Sequence, residues 1–180
     1  MLAENAEPTT QAVLSRDGTP IACERRGQGH PLILVDGALC SRTMGPSLQL
    51  ARALEGSFTV FRYDRRGRGD SGDTAPYAVE REVDDIEAVL QAAGGGAFVW
   101  GMSSGAMLAL MAASRLPGIG KLALYEAPLI VDDSRETTQG DWATIRAAIA
   151  EDRRGDAVTA FLRSVGMPGL LIVFMRLTPI

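Results

Sequence analysis

The segment Gly101-Met102-Ser103-Ser104-Gly105 sets a hydroxyl midway between two glycines. That spacing suits a nucleophile. A serine on a sharp turn between a strand and a helix stands clear of the sheet, and the helix N-terminus adds positive potential where an oxyanion would form. The five residues are a short pattern, so their context carries the weight. Ala97–Trp100 reads as a buried strand before them, and the apolar stretch Ser103–Ser114 reads as a helix after them, with no loop between. Ser103 is therefore the candidate nucleophile; a plain glycine-rich turn is the alternative.

A second segment bears on the same chemistry. The apolar run Pro31–Val35 ends in Asp36-Gly37-Ala38. A main-chain N–H just after such a strand supplies half of an oxyanion hole, and the N–H after the nucleophile supplies the other half. That nominates the amides of Ala38 and Ser104 as the two donors; a plain strand-end turn after Val35 is the alternative.

The elements that must position these groups follow from periodicity. Gln11–Ser15 and Thr19–Arg25 read as a hairpin closed at Asp17-Gly18. Pro31–Val35 and Phe58–Tyr63 read as strands, and the former is apolar throughout, as in a parallel sheet covered on both faces. Ser47–Leu54 reads as a helix. Val79, Val83, Ile86, Val89 and Leu90 recur at helical spacing, with Glu80, Glu82, Asp84 and Glu87 off that stripe. Lys121–Tyr125 is a further strand. Strands and helices thus alternate from Pro31 to Tyr125, which predicts a doubly wound α/β sheet, mostly parallel, with the hairpin at one edge. After Pro128 the pattern turns helical: Asp141–Glu151, Asp156–Val165 and Pro168–Leu177, with Asp141 and Asp156 expected as N-caps.

Composition narrows the partners. The chain has 180 residues, a net charge of −4 and a pI of about 5.1, which argues against nucleic acid. Residues 1–11 lack the basic and apolar regions of a signal peptide, and no run is long enough for a membrane span, so a cytoplasmic protein without membrane contact is expected. Cys23 and Cys40 show no metal or redox spacing and are expected as free thiols. No metal and no cofactor is expected. The arginines Arg62, Arg65, Arg66 and Arg68 alternate with Asp64, Asp70 and Asp73, so their charge nearly cancels and phosphate binding is not expected. The glycines at 94–96 and 101–105 lack the spacing and the place of a dinucleotide fingerprint.

Three landmarks in order give the chain a family look: the turn at Asp36-Gly37, the loop Tyr63-Asp64-Arg65-Arg66-Gly67-Arg68-Gly69-Asp70-Ser71, and the turn at Ser103. Over roughly Gln11 to Pro128 the sequence resembles the α/β-hydrolase family, in particular its single-domain bacterial members. The resemblance implies a core at 1–128, a helical cap segment at 129–180, and a Ser-Asp-His triad in that chain order. It also implies that Glu126, just after the strand Lys121–Tyr125, stands where some members place the acid; loop or cap packing is the other reading of that residue. The substrate it implies is a small ester or related acyl compound, and a non-catalytic protein that binds a small ligand on the same fold is the alternative.

Two departures matter. The family's turn usually reads His-Gly, where this chain has Asp36-Gly37. The family's acid and histidine follow the cap, whereas the one histidine here is His30. It precedes Pro31, at the start of its strand, roughly 20 Å from the carboxyl ends where Ser103 stands. The expectation is thus a C-terminally truncated form with weak or no activity and His30 as a solvated turn residue. Its open sheet edge would invite pairing of two copies or association with a second chain that supplies the histidine.

Overall fold

The fully apolar run Pro31–Val35 has no polar face to offer solvent, and the chain folds so as to cover both of its sides. A computed structural model describes residues 8–129 and 139–177, within two compact units, Met1–Leu129 and Ile130–Ile180. The first unit is built on six strands: β1 (Thr9–Leu14), β2 (Pro20–Gly27), β3 (His30–Val35), β4 (Phe58–Tyr63), β5 (Ala97–Met102) and β6 (Ile119–Tyr125), in spatial order β1-β2-β4-β3-β5-β6. The β1–β2 hairpin lies at one edge and β2 pairs antiparallel with β4. From β4 through β3 and β5 to β6 every pairing is parallel.

Helices α1 (Ser47–Leu54), α2 (Val79–Ala92) and α3 (Ser104–Ala113) link the parallel strands. The pleat sends alternate side chains to opposite faces. Leu32, Leu34 and Val60 pack with Leu50, Ala51 and Leu54 of α1. Ile33, Val35, Phe61, Ala97 and Val99 pack with Val83, Ile86 and Val89 of α2 and with Leu108, Ala109 and Ala112 of α3. The sheet is doubly wound and mostly parallel, as its apolar runs predict. Element ends differ from the sequence expectation by a few residues at most.

The second unit holds α4 (Gln139–Ala150), α5 (Arg154–Ser164) and α6 (Gly169–Leu177). Ile145 and Ala148 of α4 pack with Ala157 and Phe161 of α5. The expected N-caps are corrected here. Helix α4 begins at Gln139, ahead of Asp141, and the residue capping α5 is Arg153. Asp156 sits inside the first turn, where it accepts from Arg153 Nη1 at 2.8 Å. No helix among the described residues is long and apolar enough to cross a membrane.

The arginine-rich loop after β4 also needs correction. Its charge is balanced mainly by carboxylates from other elements, not by the aspartates interleaved with it. Arg62 Nη2 donates to both carboxylate oxygens of Glu24 of β2, at 2.9 and 3.0 Å. Arg65 forks onto Glu82 at 2.6 Å to each oxygen, and Arg66 onto Asp85 at 2.8 and 2.6 Å. Asp64, meanwhile, accepts from the backbone N–H and the Nε of Arg42. Glu82 and Asp85 are buried, although Glu82 falls off the apolar stripe of α2 when only hydrophobic residues are counted.

The Arg66–Asp85 pair is 1% exposed on both sides. Removing Asp85 takes the two-oxygen partner from a buried guanidinium and leaves it only the single contact with Asp17 at 2.9 Å among carboxylates. Asp85→Ala is therefore expected to lower unfolding free energy by about 3–5 kcal/mol. Glu87→Ala, which breaks only the exposed pair with Arg16, is expected to change it by less than about 1 kcal/mol. Urea denaturation of the two variants checks this contrast.

Candidate active site

Four described non-glycine residues have positive φ, and three of them follow the carboxyl ends of neighbouring strands: Leu39 (60°) after β3, Ser103 (52°) after β5 and Glu126 (48°) after β6. Such a conformation costs a side-chain-bearing residue of order 1–3 kcal/mol and persists only where its surroundings impose it. In open α/β sheets this edge, beyond the carboxyl ends of the strands, is where ligands bind.

Ser103 has φ 52° and ψ −125°. Its N–H donates to the Tyr125 carbonyl at 3.0 Å, and its carbonyl accepts the Ala106 N–H at 2.9 Å. The residue therefore lies just before α3, which begins at Ser104, rather than inside the helix as its sequence suggests. The two flanking glycines are required by space. A Cβ on Gly101 would stand 2.6 Å from the Gly105 carbonyl oxygen and 2.8 Å from the Ala106 Cα. A Cβ on Gly105 would strike the Val35 carbonyl oxygen and come within 2.5 Å of that of Asp36. Strand and helix meet so closely that only glycine fits on either side of Ser103.

The turn after β3 lies against this elbow. A Cβ on Gly37 would stand 3.2 Å from the Ser103 Cβ. The Ala38 N–H has no hydrogen-bond partner among the described residues, and the Ser104 N–H opens α3, where the first amides lack an intrahelical acceptor. Sequence and structure thus bring Ser103, Ala38 and Ser104 to one edge.

Two arginines of the loop after β4 reach the same edge. Arg65 Nη1 donates to the Ser104 hydroxyl at 3.2 Å and to the Asp36 carbonyl at 3.4 Å, while its other nitrogens hold Glu82. Tyr77 donates its hydroxyl to Glu82 at 2.8 Å. Burial alone would raise the Glu82 carboxyl, but the Arg65 guanidinium holds it below the usual range. Arg68 Nη1 donates to the Gly37 carbonyl at 2.7 Å. A signal existed for Glu82: it lies three residues after Val79 and four before Ile86, on the buried side of the helix.

Asp36 is 4% exposed, and one of its carboxylate oxygens has no partner. Burial pushes its carboxyl up, against the Ser47 hydroxyl and the nearby Arg62 and Arg68, which pull it down. Glu126 is exposed and follows β6, the strand that pairs with β5 beside Ser103. His30 opens β3 opposite Phe58 of β4, exposed as expected, but its ring also lies 4.0 Å from that of Phe98, centroid to centroid. It is at the opposite end of the sheet from Ser103. Among the described residues, no three His, Cys, Asp or Glu side chains gather where they could hold a metal ion.

The sequence profile of the Alpha/beta hydrolase family matches residues 24–178. A solved alpha/beta hydrolase from Sphaerobacter thermophilus is 53% identical, with a TM-score of 0.85, over 94% of this chain and 66% of that one. The chain belongs to the alpha/beta hydrolase family. An epoxide hydrolase from an endophytic Streptomyces is 26% identical, with a TM-score of 0.59 over 66% of this chain and 37% of that one. An esterase from Exiguobacterium antarcticum shares the fold at 24% identity and a TM-score of 0.68, over 85% of this chain and 60% of that one. The chain spans less than two thirds of the length of each of these hydrolases.

Two measurements follow. Gly105→Ala forces backbone atoms apart and is expected to lower stability by at least about 1–3 kcal/mol. In Gly155→Ala the new methyl meets nothing within 4 Å, so that variant is expected to be neutral or up to about 1 kcal/mol more stable. Urea unfolding separates them. Asp36 gives a pH signature. Its raised folded-state pKa means that the native chain binds more protons than the unfolded one as pH rises past about 4. Wild-type stability therefore falls through that range, and the always-neutral Asp36→Asn variant escapes the loss. The stability gap between Asp36→Asn and wild type should widen from pH 4 upward; a gap that stays flat to pH 8 contradicts this.

Proposed function

We propose that this edge is the nucleophile and oxyanion hole of a serine hydrolase acting on small esters or related acyl compounds. The observation that carries the reading is the backbone of Ser103, held at φ 52° and ψ −125° between two glycines that tolerate no side chain. The Ser103 hydroxyl oxygen adds to the acyl carbon, the N–H groups of Ala38 and Ser104 hold the oxygen that takes up the charge, and the alcohol leaves. Water then cleaves the acyl–serine ester.

Both ester and epoxide hydrolases occur among the structural neighbours. The identity of residue 103 favours the acyl substrate. A serine oxygen that opens an epoxide becomes an ether, which water does not readily cleave, whereas a serine oxygen that attacks an acyl carbon becomes an ester, which it does.

The proton on the Ser103 hydroxyl needs a base. The one histidine in these 180 residues is His30, at the far end of β3. Hydrolysis by this polypeptide alone is thus expected to be weak, since a site without its triad base retains roughly 10³–10⁴-fold catalysis over water. Glu126, just after the strand beside the elbow, is the candidate acid for a histidine supplied from elsewhere. The placement of His30 also favours a second reading, a protein that binds a small ligand without turnover. Unchanged ligand affinity in Ser103→Ala would support that one.

A fluorophosphonate probe with peptide mapping tests the first reading. A slow, single adduct on Ser103 is expected, with none in Ser103→Ala. Equal labelling of the two proteins would defeat the assignment of Ser103, and rapid labelling of wild type would defeat the expectation of weak activity.

A further inference from the structure

We propose that Arg68 is a positioning residue that aims the Ala38 N–H into the oxyanion hole. The proposal rests on the reading of Ser103 as nucleophile and of Ala38 as oxyanion donor.

Arg68 Nη1 donates to the Gly37 carbonyl oxygen at 2.7 Å. That carbonyl and the Ala38 N–H belong to one peptide unit. The unit is trans, since the cis bond among the described residues is Ala75–Pro76. In a planar trans peptide the C=O and the N–H point in opposite directions. Whatever pins the Gly37 oxygen therefore also sets the direction of the Ala38 hydrogen, which faces away from Arg68. The preceding carbonyl, that of Asp36, accepts from Arg65 at 3.4 Å. Two guanidiniums from one loop thus hold two successive carbonyls of the turn.

The turn needs holding. Leu39, next after Ala38, sits at φ 60°, a conformation that a leucine leaves when it is free to do so. An untethered turn would relax by rotating the peptides before Leu39, and the Ala38 N–H would swing with them.

Arg68 differs from its neighbours in the loop. Arg62, Arg65 and Arg66 each donate to both oxygens of a carboxylate. Among the described residues no carboxylate pairs with the half-buried Arg68, and Arg65 adds a like charge beside it. A guanidinium brought partly out of water next to another cation, with one backbone carbonyl for its hydrogen bond, contributes little to stability. Beside a turn whose amide must face a developing negative charge, the same placement fixes the donor and adds favourable potential.

Arg68→Met, which keeps the apolar stem but loses every donor, tests the proposal beside Arg68→Lys, which keeps a donor. The first readout is independent of activity: ¹⁵N relaxation of the Ala38 amide in the 180-residue chain. Its order parameter is expected to fall from about 0.85 to below 0.6 in Arg68→Met, to stay near the wild-type value in Arg68→Lys, and to be unchanged along β3 in both. The second readout is the rate of fluorophosphonate labelling at Ser103. Loss of one oxyanion donor lowers rates by roughly 10²–10³-fold, so Arg68→Met is expected to approach that loss and Arg68→Lys to recover most of it. Should Arg68→Met fail to fold, Arg68→Gln, whose amide is too short to span the same distance, takes its place.

An unchanged Ala38 order parameter in Arg68→Met overturns the proposal, as does an unchanged labelling rate. If wild type is not labelled at all, the relaxation measurement decides alone. Labelling of Ser103→Ala at the wild-type rate is a different failure. It brings down the nucleophile reading itself, whatever Arg68 does to Ala38.

Discussion

The candidate site depends on one close approach, that of the first turn of α3 to the end of β3. A side chain on Gly105 would run into the carbonyl oxygens of Val35 and Asp36, and one on Gly101 would run into the helix itself. With both glycines in place, the chain passes from β5 into α3 without a loop. The residue at the bend has no helical or strand conformation open to it. Ser103 takes a positive φ because its neighbours leave it no other path, and its hydroxyl is presented at the edge as a result.

That approach also brings the turn after β3 within reach. Gly37 lies against the Ser103 Cβ, so two segments about 65 residues apart in sequence share one small volume. Strained backbone recurs there, at Leu39, Ser103 and Glu126, and strained backbone must be held from outside. The buried ion pairs Arg65–Glu82 and Arg66–Asp85 anchor the arginine loop to α2. From that anchored loop, Arg65 and Arg68 reach the carbonyls of Asp36 and Gly37. Charge buried in the core supports stability weakly at best, but here it supplies rigid points from which the turn is tied.

Much of this was legible in the residues alone. Strands that are apolar throughout demand a sheet covered on both faces, and alternation with amphipathic helices makes that sheet parallel. The motif Gly101–Gly105 sits between a strand and a helix, so the turn and its serine could be placed without coordinates. The pairing of the arginines could not. Asp64, Asp70 and Asp73 are their nearest acids in sequence, yet Glu24, Glu82 and Asp85 are the partners of Arg62, Arg65 and Arg66. Neighbours on an extended loop point apart, while residues on β2 and α2 are brought alongside by the fold.

The sequence by itself determined the class of fold, the place of the turn at Ser103 and the identity of the groups at it, because each follows from local periodicity and the backbone freedom of glycine. It also determined that His30, at the start of its strand, stands away from Ser103. Only the tertiary structure decided which carboxylate each arginine meets, that Asp36 is buried, and that Arg65 and Arg68 converge on the Asp36–Ala38 turn. Those are long-range matters. They depend on how α2 and the loop after β4 pack across the sheet, and no spacing along the chain encodes a contact made by packing.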